Sequence, residues 1–234
     1  MGHPMQEGIT VCMAAYNEER TIGSIVAGLS TEGLETIVVD DGSSDGTVRE
    51  AQTNGAFVTS LPKNSGQWAA LKRAFQIALD RGTEIVVTFD ADGQHLPSSV
   101  VDLVQPILKG GADITIGSRA RQQSYSGKSH RRFGTYALNI VMWVLTQYRF
   151  SDCTSGLTAI RASILRKVLP RLTEPQYGRL EFWLFATSCN ARILDIPTVI
   201  RANRVTRKGQ LRFGANLLRT IGKTKLLSII GSSH

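Results

Sequence analysis

Two carboxylates and an amide stand at alternate positions in Asp90-Ala-Asp-Gly-Gln-His95, directly after the apolar run Glu84-Ile-Val-Val-Thr-Phe89 and just before Pro97. Where a buried strand runs out of apolar residues, Asp90, Asp92 and Gln94 can gather oxygen atoms on one side of a bend. Such oxygens grip hard divalent cations. Mg2+ is commonly held by one or two carboxylates while substrate phosphates fill other positions, and Mn2+ takes the same ligands. The stretch reads as a seat for a metal and a diphosphate. A solvated turn between strand and helix has a similar composition, so the rest of the chain has to decide.

The elements that must position this stretch alternate along the chain. Ile9 to Ala14, Thr36 to Val39, Ala56 to Leu61, the run ending at Asp90 and Ala112 to Ile116 are short and rich in β-formers. Between them lie helical spacings: Ile22, Ile25, Val26 and Leu29, with Asn17 as the expected N-cap; a stretch through Val48 and Ala51; Gln67 to Arg81; and Val100 to Leu108, opened by Pro97. This alternation predicts right-handed crossovers and a mainly parallel sheet with helices on both faces. Such sheets bind ligands beyond the carboxyl ends of their strands. Four strand ends carry Tyr16-Asn17-Glu18, Asp40-Asp41, Asp90-Asp92-Gln94 and Arg119. A decorative acidic turn need not recur along one edge, so a site is expected there. For Asp40 and Asp41 the competing role is an Asx-turn before the second helix.

After Arg119 the pattern changes. Residues from Arg121 to Ser129 are polar, and Arg131-Arg132 opens a helical stretch from Phe133 to Tyr148 with Tyr136, Ile140, Trp143, Val144 and Gln147 on about one face. Then come Asp152-Cys-Thr-Ser-Gly156, a short segment to Arg161, helices from Ala162 to Val168 and around Glu181 to Cys189, and a strand within Ala191 to Ile200. No GxGxxG follows the first strand and no GxxxxGK[ST] loop is present, so phosphate has to be neutralised by metal and arginine. A sugar-1-phosphate nucleotidyltransferase needs a glycine-rich basic loop there, and Ala14-Ala-Tyr-Asn17 has no such character. A non-catalytic nucleotide-sugar-binding protein is the other rival.

The 234 residues suit one large α/β domain, and 42% hydrophobic with 20% charged residues is a globular composition. The net charge of +8 comes from residues 201–234, which hold eight basic residues and no acid, leaving 19 basic against 19 acidic before them. At 100° per residue, Lys208, Arg212, Arg219 and Lys223 share one face of that tail while Phe213, Leu217, Leu218 and Ile221 share the other. A basic amphipathic helix of this kind is expected to lie on an anionic membrane surface; a helix packed on the core with a solvated basic face gives the same pattern. No aromatic-rich strand or recognition motif accompanies the charge, so nucleic acid is not an expected partner. Three cysteines without CxxC spacing point to buried thiols in a reducing compartment rather than a disulfide framework or zinc site. Residues 1–8 lack an apolar signal core, and no apolar stretch approaches the ~20 residues that span a bilayer. The expected location is cytoplasmic, peripheral on the cytoplasmic face of a membrane, either directly or through a membrane-anchoring partner.

Taken together, Tyr16-Asn-Glu18, Asp40-Asp-Gly-Ser-Ser-Asp-Gly-Thr47, Asn64-Ser-Gly-Gln67, Asp90-Ala-Asp-Gly-Gln-His95, Gly117-Ser-Arg119 and Asp152-Cys-Thr-Ser-Gly156 resemble the family-2 inverting glycosyltransferases of the GT-A fold, and among them the dolichyl- or polyprenyl-phosphate mannose synthase group. The resemblance implies a catalytic domain over 1–210, with a nucleotide and metal half at 9–119 and an acceptor half at 120–210, and a membrane-surface tail at 211–234. It implies Mg2+ or Mn2+ as cofactor, a nucleotide-diphosphate sugar as donor, GDP-mannose before others, and a polyprenyl or dolichyl phosphate as acceptor. By position, Asp41 with Ala15, Tyr16 and Glu18 would recognise the nucleoside, Asp90 would lie by the ribose or diphosphate, and Asp90, Asp92 and Gln94 would surround the metal. Arg119 and Arg131 would receive the acceptor phosphate, with Arg132 beside them. Asp152 and Ser155 would line the sugar or acceptor side, and Arg204 would reach the diphosphate. The family often shows RxxGxSK there, whereas this chain reads Arg204-Val-Thr-Arg-Lys-Gly-Gln210. The Gly66-Gln-x-x-Ala-Leu71 form resembles bacterial polyprenyl-phosphate hexosyltransferases, which leaves glucose or another hexose open.

A phosphomonoester loses its second proton near pH ~6, so such an acceptor can attack the anomeric carbon without a protein base. A sugar-hydroxyl acceptor would need one, and Asp152 and His95 are the candidates. For His95 the simpler expectation is capping the helix near Pro97 or bonding a neighbour.

Overall fold

The structure, a computed structural model, describes residues 7–118 and 129–199, with the backbone alone over 129–135. Arg119, Arg204 and the basic tail 211–234 lie outside the described residues, as do the side chains of Arg131 and Arg132.

Among the described residues, seven strands form one sheet: β1 (Ile9–Ala15), β2 (Glu35–Asp40), β3 (Phe57–Ser60), β4 (Ile85–Thr88), β5 (Ile114–Ser118), β6 (Thr158–Arg161) and β7 (Ile193–Pro197). Their spatial order is β3-β2-β1-β4-β6-β5-β7. β1, β2, β4 and β5 are buried almost throughout, which is why they read as continuous apolar runs rather than alternating ones. All pairings are parallel except those of β6, which runs antiparallel to both β4 and β5. The sequence pattern leaves Thr158 to Arg161 as a connecting segment, because four residues are too few to show a period.

Helices cover both faces. On one side, α1 (Ile22–Thr31), α2 (Thr47–Thr53) and α4 (Ser99–Leu108) pack Ile22, Leu29, Ala51, Leu103 and Ile107 against Val11, Met13, Val38 and Val87. On the other, α3 (Gln67–Asp80), α5 (Ser129–Thr146), α6 (Ala162–Val168) and α7 (Gly178–Ser188) bring Trp68, Phe75, Met142, Leu165, Phe182 and Trp183 onto Cys12, Ile37, Val86 and Ile160. Each such aliphatic or aromatic side chain contributes roughly 1.5–3 kcal/mol when buried. The two layers fix the sheet, and the sheet fixes its carboxyl edge.

Two expected helix starts move. α1 begins at Ile22, not after Asn17, and the intervening turn is closed by the Thr21 and Ile22 N–H groups on the Glu18 carbonyl (both 3.0 Å). Asn17 has φ 54°, a left-handed conformation that excludes it as the N-cap. α4 starts at Ser99, two residues beyond Pro97. In α5 the face carrying Leu138 and Met142 is buried, whereas Tyr136, Ile140, Trp143 and Val144 are exposed.

Candidate functional site

The loops after β1 and β2 are joined by short polar side chains. The Asn17 N–H donates to the Ser43 hydroxyl (2.9 Å), the Ser44 N–H donates to Asn17 Oδ1 (2.9 Å), and the Glu18 N–H donates to the Thr47 hydroxyl (2.8 Å). Burial pushes the Asp45 carboxyl up, but the Thr47 hydroxyl and amide outweigh this and hold it below its ordinary value. The paired aspartates divide their roles. Asp40 accepts the Ser43 N–H on both oxygens (3.2 Å), a local turn. Asp41, 3% exposed, donates its own N–H to the Ala15 carbonyl (2.8 Å) and accepts the Ser65 (2.7 Å) and Gly66 (2.9 Å) N–H groups on its carboxylate. It is thereby a fixed wall of the cleft.

Beyond β4, Asp90 and Asp92 enter the same space. Gly93 takes φ 75° to make the bend, and the Thr21 hydroxyl holds the loop by donating to the Ala91 carbonyl (2.7 Å). Asp90 accepts the Gln67 side-chain amide on Oδ1 (3.3 Å) and lies against Gly156, where an added Cβ would fall on its carboxylate. The glycine of the Asp152-Cys-Thr-Ser-Gly156 stretch is thus required by Asp90. Gln94 does not join the lining. Its backbone N–H donates to Asp92 Oδ1 (3.0 Å) and its side-chain Nε2 to Oδ2, so a donor faces the carboxylate where an ion would need an acceptor. Gln94 aims Asp92 in this arrangement.

The resulting cleft, about 340 Å³, is lined by Ala14, Ala15, Tyr16, Glu18 and Asp41 at and just beyond the ends of β1 and β2, by Asp90, Ala91 and Asp92 beyond β4, and by Asn64, Gln67 and Gln176. Four of these are carboxylates, and none of the described lining residues is cationic. Among the described residues no three His, Cys, Asp or Glu side chains cluster as a ready-made metal cage. Two carboxylates in a common cleft nevertheless suit Mg2+ or Mn2+, which take remaining ligands from water and phosphate. Among the described charged lining residues, a diphosphate would meet only carboxylates without such an ion.

Three residues expected at the site lie outside this described lining. Ser155 is fully buried and donates its hydroxyl to the Gly117 carbonyl (2.6 Å), joining β5 to the loop before β6. Asp152 is buried and accepts the Thr154 N–H (3.1 Å) and hydroxyl (2.7 Å). Neither belongs to the lining, so both stabilise the loop that presents Gly156. His95 is buried edge-on against Phe89, 6.0 Å between centroids, and is likewise absent from the lining. Burial drives the Cys12 thiol far above its usual range, which makes it inert. Sequence reasoning quoted Asn64 and Gln67 in a motif without assigning them a role, and missed Gln176. Its only signal was Pro175-Gln-Tyr ahead of Gly178, in a stretch between helices.

The profile described as glycosyl transferase family 2 matches residues 10–169. A UDP-N-acetylglucosamine:dolichyl-phosphate N-acetylglucosaminyltransferase of Methanococcus voltae is 28% identical over 81% of this chain and 84% of its own. An undecaprenyl-phosphate mannosyltransferase of Micrococcus luteus is 28% identical over 81% of this chain and 82% of its own. Among solved structures, glucosyl-3-phosphoglycerate synthase from Mycobacterium tuberculosis, in complex with Mn2+, UDP and glucosyl-3-phosphoglycerate, superposes with a TM-score of 0.71 at 26% identity, covering 93% of this chain and 78% of that one. The architecture is therefore of the GT-A type.

Proposed function

The chain belongs to glycosyl transferase family 2, and from that premise we propose that it transfers a hexose, with inversion, from a nucleotide-diphosphate sugar to a polyprenyl or dolichyl phosphate, assisted by Mg2+ or Mn2+. The observation that carries this reading is the cleft, where Asp90 and Asp92 stand with Tyr16, Glu18 and Asp41 at one sheet edge and no described cation offsets them. The two relatives share a lipid-phosphate acceptor in their names and differ in sugar. The acceptor class is thus better supported than the donor, for which GDP-mannose is tested first.

Asp90 and Asp92 would hold the ion, with Gln67 bonded to the first and Gln94 to the second. When bound, the ion acts as a Lewis acid on the departing diphosphate. A phosphate acceptor is largely ionised above pH ~6 and needs no base. This agrees with the burial of Asp152 and His95 away from the cleft lining. Bringing two anions together costs several kcal/mol unless their charge is neutralised, and Arg119, Arg131 and Arg204 are assigned that role, with Arg132 beside the acceptor. Catalysis is then positioning and electrostatics.

The acceptor lipid places the enzyme on a membrane surface, on the cytoplasmic face. No described helix is long and apolar enough to cross a membrane. The α5 face bearing Tyr136 (64% exposed), Ile140, Trp143 and Val144 (59%), with the Arg149 guanidinium 5.2 Å over the Trp143 ring, supports this location. Removing the residues after Arg212 deletes Arg219, Lys223 and Lys225. At about 1 kcal/mol per basic residue, binding to anionic liposomes should fall roughly 10²-fold in a flotation assay. Unchanged flotation would remove the tail from the proposal.

The deciding experiment offers GDP-mannose, UDP-glucose and UDP-N-acetylglucosamine with short polyprenyl phosphates and Mn2+ or Mg2+, with mass spectrometry as readout. One glycosyl polyprenyl phosphate is expected, and none after chelation. Transfer only to 3-phosphoglycerate, offered in parallel, would overturn the lipid acceptor.

A further inference from the structure

A buried carboxylate with no part in the reaction above holds one piece of the cleft wall. Glu181, in α7, is 1% exposed. Its Oε2 accepts the backbone N–H groups of Thr173 (2.7 Å) and Glu174 (2.9 Å), and its Oε1 accepts the Thr173 hydroxyl (2.8 Å). An ionised group out of water is tolerated when its lone pairs are filled by donors. Here all three donors belong to two adjacent residues, so the carboxylate fixes the path of the chain that follows.

That chain runs to the start of α3. The Pro175 carbonyl accepts the Trp68 (2.8 Å) and Ala69 (2.9 Å) N–H groups, and Gln176 Oε1 accepts the Gln67 N–H (3.3 Å). These first-turn donors have no partner within their own helix. Gly66, at φ 109°, lets the two segments approach, since a Cβ there would sit 2.5 Å from the Pro175 oxygen. The α3 N-terminus is therefore already satisfied by protein atoms and does not act as the phosphate cradle. What it presents to the cleft is a pair of neutral amides, Gln67 and Gln176, with Gln67 bonded to Asp90.

A carboxamide carries donors and an acceptor on one planar group. With Gln176 Oε1 already accepting the Gln67 N–H, its two amide N–H donors and second lone pair can pair with sugar hydroxyls without repelling a neighbouring diphosphate. We propose that Gln176 reads the hydroxyls of the transferred sugar, on the metal side of the cleft, and that Glu181 is the positioning residue that holds Gln176 there. The inference rests on the nucleotide-sugar transferase reading and deepens it, since Gln176 would set which hexose is accepted.

The test measures, by calorimetry with Mn2+ present, the binding of GDP-mannose, UDP-glucose and UDP-N-acetylglucosamine against GDP and UDP alone. Gln176→Ala is expected to weaken the preferred nucleotide sugar by about tenfold to 10²-fold and the matching diphosphate less than twofold. Glu181→Gln keeps an oxygen for the two N–H groups and an amide for the Thr173 hydroxyl, so it should retain wild-type discrimination. Glu181→Leu should copy Gln176→Ala and add nothing to it in the double variant. Should Glu181→Leu fail to fold, Thr173→Val, which deletes one of the three donors, is measured in its place. A Gln176→Ala protein that loses sugar and diphosphate affinity equally, or keeps its donor ranking, overturns the sugar-reading role. Unchanged discrimination in Glu181→Leu or Thr173→Val overturns the positioning role. A wild type that binds diphosphates but no nucleotide sugar overturns the transferase reading itself, which the variants alone cannot do.

Discussion

The wall of the cleft at the β1 and β2 ends is stitched by Asn17, Ser43, Ser44 and Thr47, small polar side chains bonded across neighbouring strand-end loops. The segments behind Asp90 and Gln176, from 152 to 177, hang on buried anchors: Ser155 on the Gly117 carbonyl, the Trp183 indole N–H on the Cys153 carbonyl (2.9 Å), and Glu181 on Thr173 and Glu174. The first wall is exposed or partly buried, and the residues that tie it together stand in short motifs at two strand ends. The second depends on tertiary burial, where losing one partner strands a polar group and costs ~1–3 kcal/mol. Damage to the first should therefore appear in nucleotide affinity, and damage to the second in stability together with sugar binding or turnover.

Asp92→Ala tests the ground common to both walls and should have the largest effect, a loss of roughly 10³-fold in product formation, read by mass spectrometry at saturating donor. Wild-type rates would exclude a metal-assisted transfer. Gly156→Ala comes next: the new methyl must displace Asp90 from the far wall, and a misplacement near 1 Å reduces turnover by about 10²-fold. Retained turnover with a normal melting temperature would show that Asp90 can move without consequence. On the near wall, Asn17→Ala loses the Ser44 bond and keeps the left-handed φ, a change of ~1–3 kcal/mol. It should raise the donor KM with little change in kcat, and Asn17→Gly, which relieves the φ, should recover part of the stability. Equal effects on kcat and KM would erase the distinction between the walls.

The smallest effect lies away from both. Asp113 accepts bonds from the Arg192 side chain (3.0 and 2.9 Å), which hold its carboxyl down at about 2 against an ordinary 3.8. A depressed folded value means that the pair stabilises fully above the unfolded value and loses that contribution as pH falls from about 4 towards 2. Asp113→Asn should flatten the acid limb of the melting curve in that window, and added salt should shrink the difference because Arg192 is exposed. An acid limb identical to that of the wild type would assign acid sensitivity to other carboxylates.

What could be read from the sequence follows the same division. Asp41, Asp90 and Asp92 end apolar runs of parallel strands, and the edge where such strands stop is where ligands bind, so residue type and position carried the inference together. Asn17 misled because a side-chain acceptor before a helical pattern reads as a cap, whereas its backbone turns left-handed to meet Ser43 and Ser44. Gln94 shares the spacing of its neighbours, and only the structure shows its amide nitrogen set against Asp92. Asp152 and Ser155 stand in a recognisable stretch, and only packing reveals that they support Gly156 from behind. Gln176 and β6 left almost no trace, since neither lies in a periodic run and both are defined by residues distant in the chain.

Because β6 is clamped between β4 and β5 while running against them, the polypeptide that leaves the sheet at Ser118 comes back to it at Thr158 on the same rim. The described residues between those two points, 129–157, are tied to the core through Leu138, Met142 and the Trp183 indole bond to the Cys153 carbonyl. Gly156 has to keep its contact with Asp90, so exchanging residues 119–150 alone with those of a relative should transplant a choice of lipid while the nucleotide seat stays as it was.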